Sequence, residues 1–198
     1  MLPFFRAAAS CAILILGGQG AWAQQATNIR GVIASFDGET LSVRTREGET
    51  VAIAMPKDAR VATTKPFTFA DIKPGMVLGV TTVRRANGAT VAIDVRPIPA
   101  TANLGLSPFD LQPESTMTNA VIEAAVADAA SRELTLNYKT GVVKVLVPPD
   151  TPMSQAAPGG LEDLKAGETV FVAARAGEGG KLTALRAQVS KDGVKPTQ

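Results

Sequence analysis

The chain restates its own landmarks at a spacing of 93 and then 92 residues. One stretch reads Leu41-Ser42-Val43, Glu47-Gly48, Pro56-Lys57-Asp58, then Ala70-Asp71-Ile72-Lys73-Pro74-Gly75 and a strand-like run over 77–80. The same order returns as Leu134-Thr135-Leu136, Thr140-Gly141, Pro148-Pro149-Asp150, Glu162-Asp163-Leu164-Lys165-Ala166-Gly167 and a run over 170–172. The spacing is 93 from Leu41 to Leu134 and 92 from Gly75 to Gly167, so one deletion reconciles the two copies. Self-similarity at a long, constant period is the mark of a duplicated structural unit.

Each copy reads as β structure. In Leu41-Ser42-Val43-Arg44-Thr45-Arg46, apolar and polar residues alternate, which puts Leu41 and Val43 on one face and Arg44 and Arg46 on the other. Glu47-Gly48 then turns the chain back. In the second copy Leu134, Leu136 and Tyr138 share one face, and Thr140-Gly141 turns into Val143, Val145 and Val147. A short helical element follows in each copy, closed by Gly75 or Gly167 at the left-handed position that ends such a turn. Two more strands come next, around Asn87-Gly88 in one copy and Gly179-Gly180 in the other. The pattern predicts an all-β chain of two tandem small OB-like or SH3-like barrels, about five strands each. The division expected is a first barrel over 24–99, a connector over 100–118, a second barrel over 119–190 and a frayed tail over 191–198. The connector holds Pro108, Pro113 and Gly105, yet Leu104, Leu106, Phe109 and Leu111 make it too apolar for a solvated tether. It is expected to pack across the seam between the barrels, with Phe109 and Leu111 as the candidate interaction residues.

The beginning of the chain reads as an export signal over 1–23, a signal-peptide helix ahead of the barrels. Arg6 supplies a positive charge, an apolar run covers 7–16, and Ala21-Trp22-Ala23 has the small-x-small cleavage pattern, so cleavage is expected before Gln24. Gly17-Gly18 cuts the apolar run short of the roughly 20 residues that a membrane span needs. The expected location is periplasmic or secreted, with no membrane association after cleavage.

Cleavage would remove the single Cys, Cys11, and the single Trp, Trp22, from a chain that has no His at all. Catalysis by Ser-His-Asp or Cys-His groups and zinc sites built from His and Cys are thereby excluded. Carboxylate chemistry remains. Asp71 and Asp163 recur at matching places, as do Asp58 and Asp150. Such aspartates could hold a hard cation, but beside a proline or in the first turn of a short helix they more commonly satisfy backbone N–H groups. Gly177-Glu178-Gly179-Gly180 lacks the Lys-Ser/Thr of a phosphate-binding loop and lies between strands, so it reads as a hairpin turn. Residues 28–99 carry ten Lys and Arg against seven Asp and Glu, and residues 119–198 nine against nine. That balance argues against nucleic acid, although Arg44, Arg46, Arg84, Arg85 and Arg96 form a candidate basic face.

The motifs Gly31-Val32-Ile33, Leu41-Ser42-Val43 and Asp71-Ile72-Lys73-Pro74-Gly75, with Phe109-Asp110-Leu111-Gln112-Pro113 and Ser115-Thr116-Met117-Thr118-Asn119-Ala120, give a resemblance over nearly the whole chain. The chain resembles a group of exported bacterial small β-barrel repeat proteins filed as domains of unknown function. Some members are labelled metal ABC transporter permease. A permease needs several membrane spans, so the resemblance implies at most an accessory role in metal transport. Members carry histidine and tryptophan around the connector, where this chain has Ser107-Pro108-Phe109.

These readings lead to an exported, non-enzymatic binding or protein-interaction module with no cofactor, no resident metal and no catalytic residue, whose partner is a protein or a small molecule. The alternative is an accessory component of a metal-transport system that holds a hard cation through carboxylates. A carboxylate-only glycan hydrolase ranks third, since it needs two carboxyl groups about 5 to 9 Å apart in a cleft.

Overall fold

The computed structural model describes residues 26–127 and 132–197. The alternating segments form strands β1 (Ala26–Phe36), β2 (Thr40–Thr45), β3 (Thr50–Ala54), β4 (Arg60–Pro66), β5 (Val77–Arg84) and β6 (Thr90–Pro97). They continue as β7 (Gly105–Pro108), β8 (Thr116–Ala127), β9 (Arg132–Asn137), β10 (Val142–Leu146), β11 (Ser154–Pro158), β12 (Thr169–Ala176) and β13 (Leu182–Val189). The period-two reading places the side chains correctly: Leu41, Val43, Leu134 and Leu136 are fully buried, while Arg44 points to solvent. Each such side chain stabilises its core by about 1.5–3 kcal/mol.

Two rings of strands close. In the first, β1, β2 and β3 are joined by β12 and β13, in the order β13-β12-β1-β2-β3, and β3 returns to β13 through the parallel pairs Leu182 with Ile53 and Thr183 with Ala54. In the second the order is β5-β6-β10-β9-β8, and β5 returns to β8 over Val77–Thr82. The protein is all-β with five-stranded barrels, and closure removes most of the strand edges that would otherwise remain unpaired.

The division of strands between barrels differs from the expected boundaries at 99 and 119. The second ring is built from 77–146, a segment inserted in sequence between the two parts of the first, 26–54 and 169–189. A barrel over 24–99 therefore does not form: β5 and β6 leave β1–β3 and pair with β8 and β10. β4 and β11 lie antiparallel to each other and carry the chain from one barrel to the other. β4 also runs parallel to β13, and Val95 of β6 bridges in parallel to Met153 beside β11.

Each barrel is plugged by the 3-10 turn that precedes its entering hairpin. Phe69 and Ile72, from the turn Phe69–Asp71, are buried in the core of the second ring with Leu78, Val80, Leu134 and Val145. Leu164, after the turn Leu161–Asp163, enters the core of the first ring with Ile33, Leu41, Ile53 and Val172. Gly75 (φ 85°) and Gly167 (φ 91°) take the left-handed conformation that ends these turns.

Residues 191–197, expected to fray, instead fold back. Lys191 and Val194 form a bridge, Thr64 donates its hydroxyl to the Val194 carbonyl, and Thr197 is buried, with its carbonyl accepting from Arg96 Nη1 at 3.1 Å.

Candidate functional site

Strand register sends a specific set of side chains out of each barrel and toward the other. On the first barrel Asn28 stands opposite Ala173, Arg30 opposite Phe171, and these pair on to Arg186 and Gln188 of β13. Their neighbours Ile29, Val170, Val172 and Ala187 point into the core, so this row faces outward. On the second barrel Asn119, Gly79 and Arg96 form one row and Met117, Thr81 and Asp94 the next. Phe171 is 1% exposed and Asp94 1%, although both point away from their own cores, because the two outward faces meet.

The seam is stacked and charged. The Arg30 guanidinium lies 5.4 Å from the Phe171 ring centroid and 5.5 Å from that of Phe109, and Arg186 lies 4.9 Å from Phe171. Cation–π contacts of this kind gain strength as water is excluded. Asp110 holds Arg30 in a two-pronged pair, Nη2 to Oδ1 at 2.7 Å and Nη1 to Oδ2 at 3.2 Å, and also accepts from Asn28. The hydrogen bonds from Arg30 keep the Asp110 carboxyl below the usual carboxylate range, with Asn28 assisting. Arg96 Nη1 donates to Asp94, and Thr81 donates to the same carboxylate at 3.2 Å. Burial nevertheless pushes the Asp94 carboxyl up to about 6, outweighing the attraction of Arg96, and burial pushes the Arg96 guanidinium down.

Two openings lead into the seam. A cleft of about 420 Å³ lies between Phe109, Phe171 and Met117, with Asn28, Arg96 and Arg186 at its polar side. On the other side three hollows of about 190, 230 and 230 Å³ all share Arg46, and two of them share Arg30. Among the described residues, Arg30 Nε is buried without a hydrogen-bond partner, and Arg30 lines two of these hollows. An apolar wall with a few convergent polar groups suits a small organic ligand.

Both connector residues singled out from the sequence reach this seam. Phe109 lines the large cleft, and Leu111 lines two of the smaller hollows. Of the candidate basic face, Arg46 and Arg96 are in the seam, whereas Arg44, Arg84 and Arg85 are exposed elsewhere. The paired aspartates do not assemble. Asp71 caps its turn through the Thr68 hydroxyl and N–H, both at 2.8 Å, and Asp163 accepts from the Gly160 N–H at 3.0 Å and from Lys191. Those bonds hold both carboxyls low, the Thr68 hydroxyl leading for Asp71 and the Gly160 N–H for Asp163. Among the described residues no three metal-ligating side chains come together. Ala21, Ala23 and Gln24 lie outside the described residues, and no described helix is long and apolar enough to cross a membrane.

Sequence reasoning missed Arg30, Asp94 and Arg186. A signal was present for one of them: Asp94 and Arg96 stand two apart in an otherwise apolar strand, a spacing that puts opposite charges on one face. Compared with known protein families, curated proteins and solved structures, the chain has no match.

Proposed function

We propose that this chain is an exported, non-enzymatic binding module whose ligand or partner sits in the seam between the barrels. The observation that carries the reading is the convergence of Arg96 and Arg186 with Phe109 and Phe171, from both barrels and the connector, on one cleft, with Arg30 stacked on both rings from beside it. The charged seam costs stability through desolvation of Asp94 and Arg96, a cost that an apolar interface would avoid. A charged seam at such a cost fits recognition better than packing. Export to the periplasm or beyond follows from the signal pattern over 1–23, and the matched landmarks of the two halves are read as a duplication whose products exchanged hairpins. The absence of histidine from the sequence supports a binding role over acid–base catalysis at neutral pH.

The test is to purify the chain from its native envelope, identify the compounds and proteins that accompany it, and repeat this with Phe109→Ser and Leu111→Ser. Loss of the companion with thermal unfolding little changed supports the seam as the binding site. A companion retained by both variants places binding elsewhere and defeats the reading.

A further inference from the structure

We propose that the groove where Arg30, Arg46 and Lys195 meet binds the oxyanion group of a ligand, a carboxylate or a phosphate. The inference rests on the seam being a binding site and names the chemistry of its occupant. One hollow of about 230 Å³ is bounded by Arg30, Arg46 and Lys195 together with Gly31 and Thr169, and no carboxylate lines it. With Arg30 already paired to Asp110, Arg46 and Lys195 leave the concavity with an excess of positive charge, which an anion between them offsets. Arg30 is only 11% exposed in its side chain, so its charge acts through a medium less polar than water.

The chain itself shows that this face accepts such a group. Asp110, from the connector, occupies the terminal nitrogens of Arg30 with the two-pronged geometry that guanidinium offers to carboxylate and phosphate alike. Arg30 also lines an adjoining hollow of about 190 Å³, and its remaining donor, Nε, is buried and has no acceptor. Buried polar atoms in native proteins are nearly always satisfied, by protein, water or ligand. Arg30 and Arg46 line both hollows, and Asp110 and Glu47 line only the adjoining one, so an anion is best held on the side of Lys195. Arg46 is exposed and reaches the groove from the turn after β2, where substitution leaves both cores untouched.

The test is titration calorimetry of the intact chain with inorganic phosphate in one arm and acetate in another, at matched ionic strength with chloride as control. Arg46→Gln and Lys195→Gln are compared with Arg84→Gln, an exposed arginine away from the groove. Saturable binding in either arm, weakened about tenfold by each groove variant and unchanged in Arg84→Gln, is the expected result. The stronger arm identifies the oxyanion. No saturable heat with either anion overturns the inference, as does an equal loss in all three variants, which marks bulk screening. A neutral companion that Phe109→Ser loses and Arg46→Gln keeps would overturn the oxyanion alone and leave the seam standing as a binding site.

Discussion

Gly167 donates its backbone N–H to the carbonyl of Ile33 at 2.9 Å. The turn before β12 is thus clamped onto β1, and the Ile33 N–H returns a bond to Glu168 at 2.9 Å. Gly75 and Met76 make the matching contacts with Ile122, both at 2.8 Å. In each case a hairpin is anchored to strands from the other half of the chain.

The first prediction concerns fragments. Residues 67–153 contain every strand of the inner barrel and its plug, from Phe67, Phe69 and Ile72 to Met153. This fragment should unfold cooperatively on heating. A fragment over 24–99 holds β5 and β6 without β8–β10, so as a monomer it should show no cooperative transition. Circular dichroism melts with size-exclusion chromatography distinguish the two, and a monomeric, cooperatively folded 24–99 would contradict the strand exchange.

Phe171→Ala should be costly although its ring lies outside its own barrel core. The ring is 1% exposed and carries the guanidinium groups of Arg30 and Arg186. Truncating a buried Phe typically costs about 3–5 kcal/mol. Urea unfolding of the variant should give a loss in that range, whereas a loss below about 1 kcal/mol would mean the seam is loosely packed.

Asp94 gives stability an unusual pH dependence. Its carboxyl rises from 3.8 to about 6 on folding, so the folded state holds the proton more tightly than the unfolded chain. The stability linked to this group is fully present below pH 3.8 and is lost as pH rises through about 6. Asp71, Asp110 and Asp163 act in the opposite sense: their lowered carboxyls stabilise the fold above 3.8, and that contribution fades as pH falls further. Urea midpoints measured between pH 4 and 6.5, a window set by these shifts, should therefore show a downward contribution that Asp94→Asn removes. An unchanged slope in the variant would show that Asp94 ionises freely in the fold.

Gly31→Ala should break the approach of β1 to β2. A Cβ at this position would stand 2.1 Å from the Arg44 carbonyl oxygen and 2.7 Å from Val43 Cγ1. Backbone is in the way, so the strands must separate, at a cost of about 1–3 kcal/mol or more. Chemical denaturation measures it, and a variant as stable as the parent would mean the bulge between Ile33 and Ser35 absorbs the extra atom.

The barrels themselves were legible because alternation is a local signal: Leu41 and Val43, or Leu134 and Leu136, declare a buried face within a few residues. The partners of β5 were not, because pairing with β8 joins residues about 40 apart and leaves no local mark in the sequence. The strands that carry the chain between the barrels, Arg60–Pro66 and Ser154–Pro158, carry little alternation to announce the crossing. Phe109 and Leu111 were readable as too apolar for their setting. Arg30 was not, since an outward-facing arginine on an amphipathic strand looks solvated until a second barrel covers it. The tail was misjudged for a similar reason: Thr197 is polar, and its burial comes from Arg96 and Ser154, which are distant in sequence.

The insertion of one barrel's strands between those of the other along the chain has a consequence for how the molecule is made. Strands 77–146 can close their ring once residue 146 has been synthesised, but β1–β3 are complete long before β12 and β13, which close theirs, have emerged. The segment over 26–54 must therefore wait for the one over 169–189, as ordering by distant contacts slows any folding reaction. During elongation β1–β3 stay open while the strands of 77–146 are already able to collapse.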